Sequence, residues 1–481
     1  MNTINQILNT DSYKFSHYVQ YPKGTQFVHS YIEARGSKIP GVDEVVFFGL
    51  EAFKKDVLSK PVTMRDVDEA ASFCTKHMVP FNREGWEYIV KEHNGVLPIR
   101  INSVIEGTPV PIGNAMLTMV NTDPKCHWLT SYLETSLLRY IWYGSTVATI
   151  SREIKKIIYA NLKLTADDPD NEINFKLHDF GFRGVSSYES AGLGGAAHLI
   201  NFMGTDTVAG ILYAQEYYSA DVCGFSIAAS EHSTMTSWGM DHEFQAYKNM
   251  VTQYAKPGAM FACVIDSYNW ENAIDLWSVV QPGEELSLLD QVKAAGAFVV
   301  LRPDSGDPIW TPIHVIEKLM NRVGYVVNSK GFRVLPNHVR VIQGDGVDIE
   351  DVRSILFNLK ILNISGSNIA FGMGGGLLQK VNRDTFKFAM KCSAIELEGG
   401  EIRDVFKSPM GQEDKKSKKG ILHTVIQDGV WKTVTRNEAT ELCNHHGAKP
   451  ALWSTYVAGK GQVFHNPPAN FQRIRKRASL K

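Results

Sequence analysis

Cysteine is scarce in this sequence and none of it is clustered. Cys74, Cys126, Cys223, Cys263, Cys392 and Cys443 lie far apart, and no two form a C-x-x-C pair. A zinc ribbon or a thioredoxin-type motif is therefore not expected, and a reducing, cytoplasmic setting is. Excess charge is missing as well: 50 basic residues stand against 51 acidic ones, a net charge of −1, so no global field draws the chain to nucleic acid or to an anionic membrane. No uncharged apolar run reaches the ~18 residues of a membrane span. The opening MNTINQILNTDSYK has neither a basic n-region nor an apolar h-region and does not read as a secretory signal. Internal repeats and low-complexity tracts are absent too.

What is there is ordinary globular material. With 44% apolar and 21% charged residues over 481 positions, the chain can bury a sizeable core. At roughly 150 residues per domain it has room for two or three domains. Three regions differ in style. Residues 15–163 read as an N-terminal α+β flanking segment, 164–390 as an α/β barrel and 391–481 as a C-terminal segment that packs with the first. In the first region the stretches 44–59 and 63–79 have helical apolar spacing, with Thr63 as a cap for the second. Segments near 26–34 and 98–121 read as strands. A long helical pattern runs over 127–163, with Gly144 as its expected break, and LTADDPDNEIN (164–174) reads as a loop. In the last region LHTVIQ-DG-VWKTVT (422–435) predicts a hairpin turning at Asp428-Gly429.

The middle region repeats one rhythm. A short apolar run ends in a small polar cluster, and a helical pattern follows. The runs are NFKL, AGILYA (209–214), FSIAA, FACVI, AFVVL, VRVIQ and NIAF. Continuous apolar runs of this kind are buried parallel strands, and their alternation with helices predicts an irregular barrel with its site at the carboxyl ends of the strands.

The chemistry sits in those polar clusters. His178-Asp179-Phe180-Gly181-Phe182-Arg183 offers an aromatic platform and a guanidinium beside glycines, which suits a flat ring and an anion; taken alone, a core Phe and a surface Arg are the simpler reading. Asp206, after a glycine, is a helix cap or an acceptor for an NH₂ group. His232, between an acid and two hydroxyls, suits a nucleophile, a general base or a metal ligand, or a satisfied polar histidine. Asp266 and Asp304 can orient a histidine, hold ribose hydroxyls or bind Mg²⁺ through water, and Arg302 can simply pair with Asp304. Gly344-Asp345-Gly346 and Gly372-Met373-Gly374-Gly375-Gly376 are glycine turns of the kind whose N–H groups cradle phosphate, and Lys380, Arg383 and Lys391 follow. Neither is a Walker A loop nor a dinucleotide fingerprint. The basic runs 415–419 and 473–477 read as solvated surface, too little for nucleic-acid binding. Together the clusters suit a phosphorylated sugar meeting a planar ring.

Longer stretches carry a resemblance. DSYKFSHYVQYP (11–22), KLHDFGFRGVSS (176–187), GTDTVAG (204–210), EHST (231–234), RPDSG (302–306), RVIQGDGVD (340–348), NIAFGMGGGLLQKVNRD (368–384) and KKSKKG (415–420) resemble the nicotinamide phosphoribosyltransferases, in the nicotinate/nicotinamide phosphoribosyltransferase family. The resemblance implies an irregular α/β barrel of the type II phosphoribosyltransferase kind, with a flanking β-rich α+β domain built from both termini. It implies transfer of phosphoribosyl from phosphoribosyl pyrophosphate to nicotinamide with Mg²⁺. ATP hydrolysis would be coupled through a phosphohistidine, in a cytoplasmic homodimer with shared sites.

By the same resemblance Phe180 stacks one face of the nicotinamide and Tyr13 of the partner subunit the other, while Asp206 accepts the carboxamide. Arg183 and Arg302 bind near the ring and the pyrophosphate. Asp304, Gly344 and Asp345 hold the ribose, and Gly374, Gly375 and Arg383 hold the 5′-phosphate. His232 is the phosphorylated residue, Asp266 orients it and helps bind Mg²⁺ together with Asp304, and Arg35, Lys391, Lys407 and Lys415 are further anion contacts. Phe182 stands where the family has Tyr, and the segment 36–45 is shorter than in the animal enzymes. A nicotinate-preferring transferase, a non-catalytic homologue and a barrel glycosidase using Asp266 and Asp304 are the competing expectations.

Overall fold

The computed structural model describes residues 4–408, 416–459, 462–465 and 470–480. The chain divides into two compact units, one of residues 1–149, 216–220 and 382–479 and the other of residues 150–215, 221–381 and 480–481.

The first unit interleaves the two ends of the chain. Strand Thr25–Ala34 pairs antiparallel with Phe388–Leu397 on one side and with Ala115–Asn121 on the other. Ile99–Ser103 then joins Ala115–Asn121 to Trp453–Gly459, and Ile402–Asp404 and Gln462–His465 form the edges of this seven-stranded sheet. Its core gathers Ile32, Phe47, Phe53, Trp86, Met119 and Trp128. Helix Met64–Lys76 buries Val67, Ala70 and Cys74, one face at helical spacing, and is capped by Thr63 as its sequence predicts, in a capping box that Asp66 completes. Asp428 and Gly429 both adopt positive φ at the turn of the predicted hairpin, the signature of a tight two-residue loop.

One acid is enclosed in this unit. Glu106 Oε1 accepts the N–H groups of Gly49 (2.7 Å) and Leu50. Burial, and then the charge of Glu51, push its carboxyl up to about 8.

The second unit is a parallel sheet of seven strands: β1 (Leu177–Asp179), β2 (Gly204–Thr205), β3 (Ala228–Ala229), β4 (Met260–Val264), β5 (Phe298–Arg302), β6 (Val339–Gln343) and β7 (Ile369–Met373). Their order is β2-β1-β7-β6-β5-β4-β3, and every pairing is parallel. The edges are tied to each other. Thr205 N–H donates to Phe225 O (3.0 Å) and Phe225 N–H to Met203 O (2.8 Å), just ahead of β3. The sheet therefore curls into the irregular barrel that the apolar runs predict. Phe261, Cys263, Val299, Leu301, Val341 and Phe371 are fully buried, as strands covered on both faces must be.

Three local expectations are corrected. AGILYA is helical, within Val208–Tyr218, and the strand before it is only Gly204–Thr205. A short apolar run does not distinguish strand from buried helix by itself. Residues 44–46 of the predicted helix 44–59 form a strand, paired with Pro109–Pro111. Gly144 does not break its helix, which runs unbroken over Glu134–Thr165. A glycine costs a helix only ~1 kcal/mol, which packing along so long an element overrides. Among the described residues no helix is long and apolar enough to cross a membrane.

Candidate active site

A parallel sheet points all its carboxyl ends one way, so the residues that end the barrel strands gather on one side. β1 delivers Asp179 and Phe180, β2 Asp206, β3 Ser230 and His232, β4 Asp266, β5 Arg302 and Asp304, β6 Gly344 and Asp345, and β7 Gly374 and Gly375.

His232 opens a short helix, His232–Thr236, and its Nε2 lies 3.1 Å from Asp266 Oδ1. The Asp266 side chain is 3% exposed and the imidazole 46%. A carboxylate only accepts, so this contact puts the ring proton on Nε2 and leaves the Nδ1 lone pair free. Asp266 Oδ2 is buried and has no hydrogen-bond partner among the described residues. Arg302 bridges two neighbours: Nη2 donates to Ser230 O (3.3 Å), and Nε lies 3.5 Å from Asp304 Oδ1. Burial pushes the Asp304 carboxyl up, Arg302 opposes this, and Asp266 adds to the rise.

The ring-sized subsite is shaped by missing side chains. A Cβ on Gly372 would lie 2.1 Å from Phe180 Cε2, so the Phe180 ring rests directly on the β7 backbone. A Cβ on Gly344 would meet Phe180 at 3.3 Å, Asp304 at 3.4 Å and Arg302 at 3.5 Å, which gathers these three around one point. Asp206 is exposed and accepts a hydrogen bond on Oδ1 from the Ser226 hydroxyl. Gly374 precedes a single helical turn, Gly375–Leu378, and the space beside Gly375 is open. A Cβ on Gly184 would lie 3.9 Å from Gly375 N, so the exposed turn Phe182–Gly184 that carries Arg183 borders the glycine loop.

The remaining expected residues belong to the first unit. Tyr13 is 59% exposed in the turn Ser12–Val19. Arg35 donates through Nε to Lys387 O (3.4 Å). Arg383 lies in the exposed turn Arg383–Thr385, Lys391 is exposed on Phe388–Leu397, and Lys407 N–H donates to Ser417 Oγ (2.8 Å). Lys415 lies outside the described residues.

Sequence reasoning missed Ser226, the partner of Asp206, and Ser230. The Ser230 hydroxyl accepts Val264 N–H (2.9 Å), while its carbonyl seats Arg302. Neither has a local signal, because each acts on a residue from another strand. Asp179 was within reach, since it stands in the motif, but its burial gives no trace in sequence.

Comparison with known proteins decides the lineage. Residues 175–441 match the model of the nicotinate phosphoribosyltransferase family, and residues 5–101 that of the nicotinamide phosphoribosyltransferase N-terminal domain. The chain belongs to the nicotinate phosphoribosyltransferase family. It is a pentosyltransferase by kinship. The nicotinamide phosphoribosyltransferase of Xanthomonas campestris is 47% identical over 93% of this chain and 94% of that protein, and the one from Acinetobacter baylyi 31% identical over 89% of each. Two solved structures share the fold. They are a nicotinate-nucleotide pyrophosphorylase from Pyrococcus furiosus (TM-score 0.62, 15% identity, 99% of this chain and 96% of that one) and human nicotinic acid phosphoribosyltransferase (TM-score 0.55, 14% identity, 98% and 92%).

Proposed function

We propose that the protein transfers the 5-phosphoribosyl group of phosphoribosyl pyrophosphate to nicotinamide, giving nicotinamide mononucleotide and pyrophosphate in NAD salvage. The observation that carries this is Asp206, held by Ser226 on the barrel mouth that also presents Phe180. A carboxylate there accepts an amide NH₂ and repels the carboxylate of nicotinate.

The pyridine nitrogen is already a neutral nucleophile, so no base has to activate it. The barrier lies in breaking the anomeric C–O bond, during which positive charge develops on the ribose. Asp304, and Asp345 after it, favour that charge, while Arg302, Arg183 and the glycine N–H groups after β7 stabilise the phosphates. The donor set fits Mg²⁺: Asp266 Oδ2 is buried and unpartnered, and Asp304 lies within electrostatic reach of Asp266. These two would hold the ion, in part through water. When bound, it would neutralise charge on the departing pyrophosphate.

His232, with Asp266 fixing its tautomer, is the acceptor of the ATP γ-phosphoryl group at Nδ1, with ADP leaving. The added charge then tightens the phosphate site. The protein acts as a homodimer, Tyr13 of the partner subunit closing the ring site, with Arg35, Lys391, Lys407 and Lys415 as anion contacts. The six cysteines, spread along the chain with no C-x-x-C pair, support a reducing, cytoplasmic setting.

The test is product analysis by mass spectrometry with phosphoribosyl pyrophosphate and Mg²⁺, offering nicotinamide or nicotinate, each with and without ATP. Selective nicotinamide mononucleotide, boosted by ATP, is expected. Selective nicotinate mononucleotide would overturn the role of Asp206, and no product from either would overturn the catalytic reading.

A further inference from the structure

We propose that Asp179 is a second specificity-determining carboxylate, a fixed negative charge behind Asp206 that adds to the exclusion of anionic ring substrates. The inference rests on the nicotinamide reading above and deepens it.

Asp179 closes β1 and is fully buried. Two hydrogen bonds tie it to both walls of the ring subsite. Its Oδ1 accepts Gly181 N–H (2.8 Å), which fixes the turn after Phe180, and its main-chain oxygen accepts Asp206 N–H (2.9 Å). A Cβ on Gly181 would lie 2.7 Å from Leu378 and 3.0 Å from Asp179 Oδ1, so the turn is packed closely over the carboxyl. Asp206, just after β2, is the charged group facing Asp179. Gly181 N–H and the Thr207 hydroxyl are the dipoles around it. Burial, and to a lesser degree Asp206, raise the Asp179 carboxyl to about 6, while Gly181 N–H and Thr207 oppose this.

At pH 7.5 Asp179 is therefore ionised. A ring substituent reaching Asp206 meets two negative charges, one solvated and one enclosed. Water screens the exposed carboxylate, but an enclosed charge acts through protein and is screened far less. Nicotinamide, which is neutral, pays no such penalty. Nicotinate, whose carboxylate stays ionised above about pH 5, does. Since the folded Asp179 gains its proton as pH falls through about 6, its share of the discrimination fades below that value.

The experiment measures kcat/KM for nicotinamide and for nicotinate in the wild type and in Asp179→Asn, at pH 7.5 and pH 5.5. The amide keeps an acceptor for Gly181 N–H, so the turn is retained. The expected result is a fall of about tenfold in the nicotinamide-to-nicotinate ratio for Asp179→Asn at pH 7.5, carried by nicotinate. The nicotinamide and phosphoribosyl pyrophosphate KM values should stay near wild type. The wild-type ratio should fall on going to pH 5.5 by more than the variant ratio does. A merely structural role would lower both substrates together and leave the ratio unmoved. That outcome, with wild type selective for nicotinamide, overturns this inference alone. If the variant does not fold, a wild-type ratio that is flat between the two pH values overturns it. Wild type that makes no nicotinamide mononucleotide sinks the functional reading, and this inference with it.

Discussion

Gly372→Ala is the sharpest probe of the ring subsite, because its effect follows from one distance. The new methyl would stand 2.1 Å from Phe180 Cε2, against an ordinary contact of at least 3.4 Å, so the ring must retreat by about 1.3 Å. The β7 backbone itself tolerates alanine, since Gly372 is not among the positive-φ glycines. Phe180 is only half-buried, so it can move without opening the core, and the melting temperature should barely change. What is lost is the stacking face. A well-placed aromatic pair is worth ~0.5–1.5 kcal/mol beyond the area it buries, which converts to a rise of about two- to tenfold in the nicotinamide KM. The KM for phosphoribosyl pyrophosphate should not follow it. Initial rates with each substrate varied in turn measure both constants. In a Phe180→Ala background the same substitution should add nothing further, because the two act through one ring. A nicotinamide KM unchanged by Gly372→Ala in a folded enzyme would refute Phe180 as the platform.

Other outcomes follow from the same geometry. His232→Ala should abolish ATP-stimulated turnover yet retain slow transfer, read as nicotinamide mononucleotide formed with and without ATP; stimulation that survives intact removes the phosphohistidine. Asp206→Asn should relax the preference toward nicotinate, and an unchanged ratio of kcat/KM values removes this residue as the determinant. In the first unit, the folded carboxyl of Glu106 is raised to about 8, so its contribution to stability is complete below the unfolded carboxylate value and is lost as pH rises through about 8. Thermal melts of wild type should therefore weaken between about pH 4.5 and pH 8 and level off above, and Glu106→Gln should flatten that decline; parallel curves would contradict the placement of the acid.

Much of the site was legible because its chemistry is local. A buried parallel strand must be apolar, and the turn that ends it is open to polar residues, so Asp266 and Arg302 announce themselves as the first polar residues after apolar runs, with His232 and Asp304 two residues past such a position. The glycines at 344 and 372 were equally visible, though not their reason: both leave room for Phe180, which comes from another strand. Periodicity failed where elements are short. The two-residue strand Gly204–Thr205 lies below the length at which a pattern exists, and the helix after it is apolar enough to pass for a strand. The Thr63 cap and the Asp428-Gly429 turn were read correctly because each is decided within four residues.

The sequence by itself determined the class of chemistry, the parallel α/β core and the residues at its strand ends, since these follow from hydrophobic pattern and residue type along a few neighbouring positions. Only the tertiary structure decided which of them meet. It set His232 against Asp266, Ser226 against Asp206, Arg302 between Ser230 and Asp304, and Asp179 out of water behind the ring subsite. It also threaded both chain ends into one antiparallel sheet. Apart from Arg302 with Asp304, those pairings join residues tens to hundreds of positions apart, and they are selected by the closure of a sheet and the burial it imposes, which no local stretch of sequence contains.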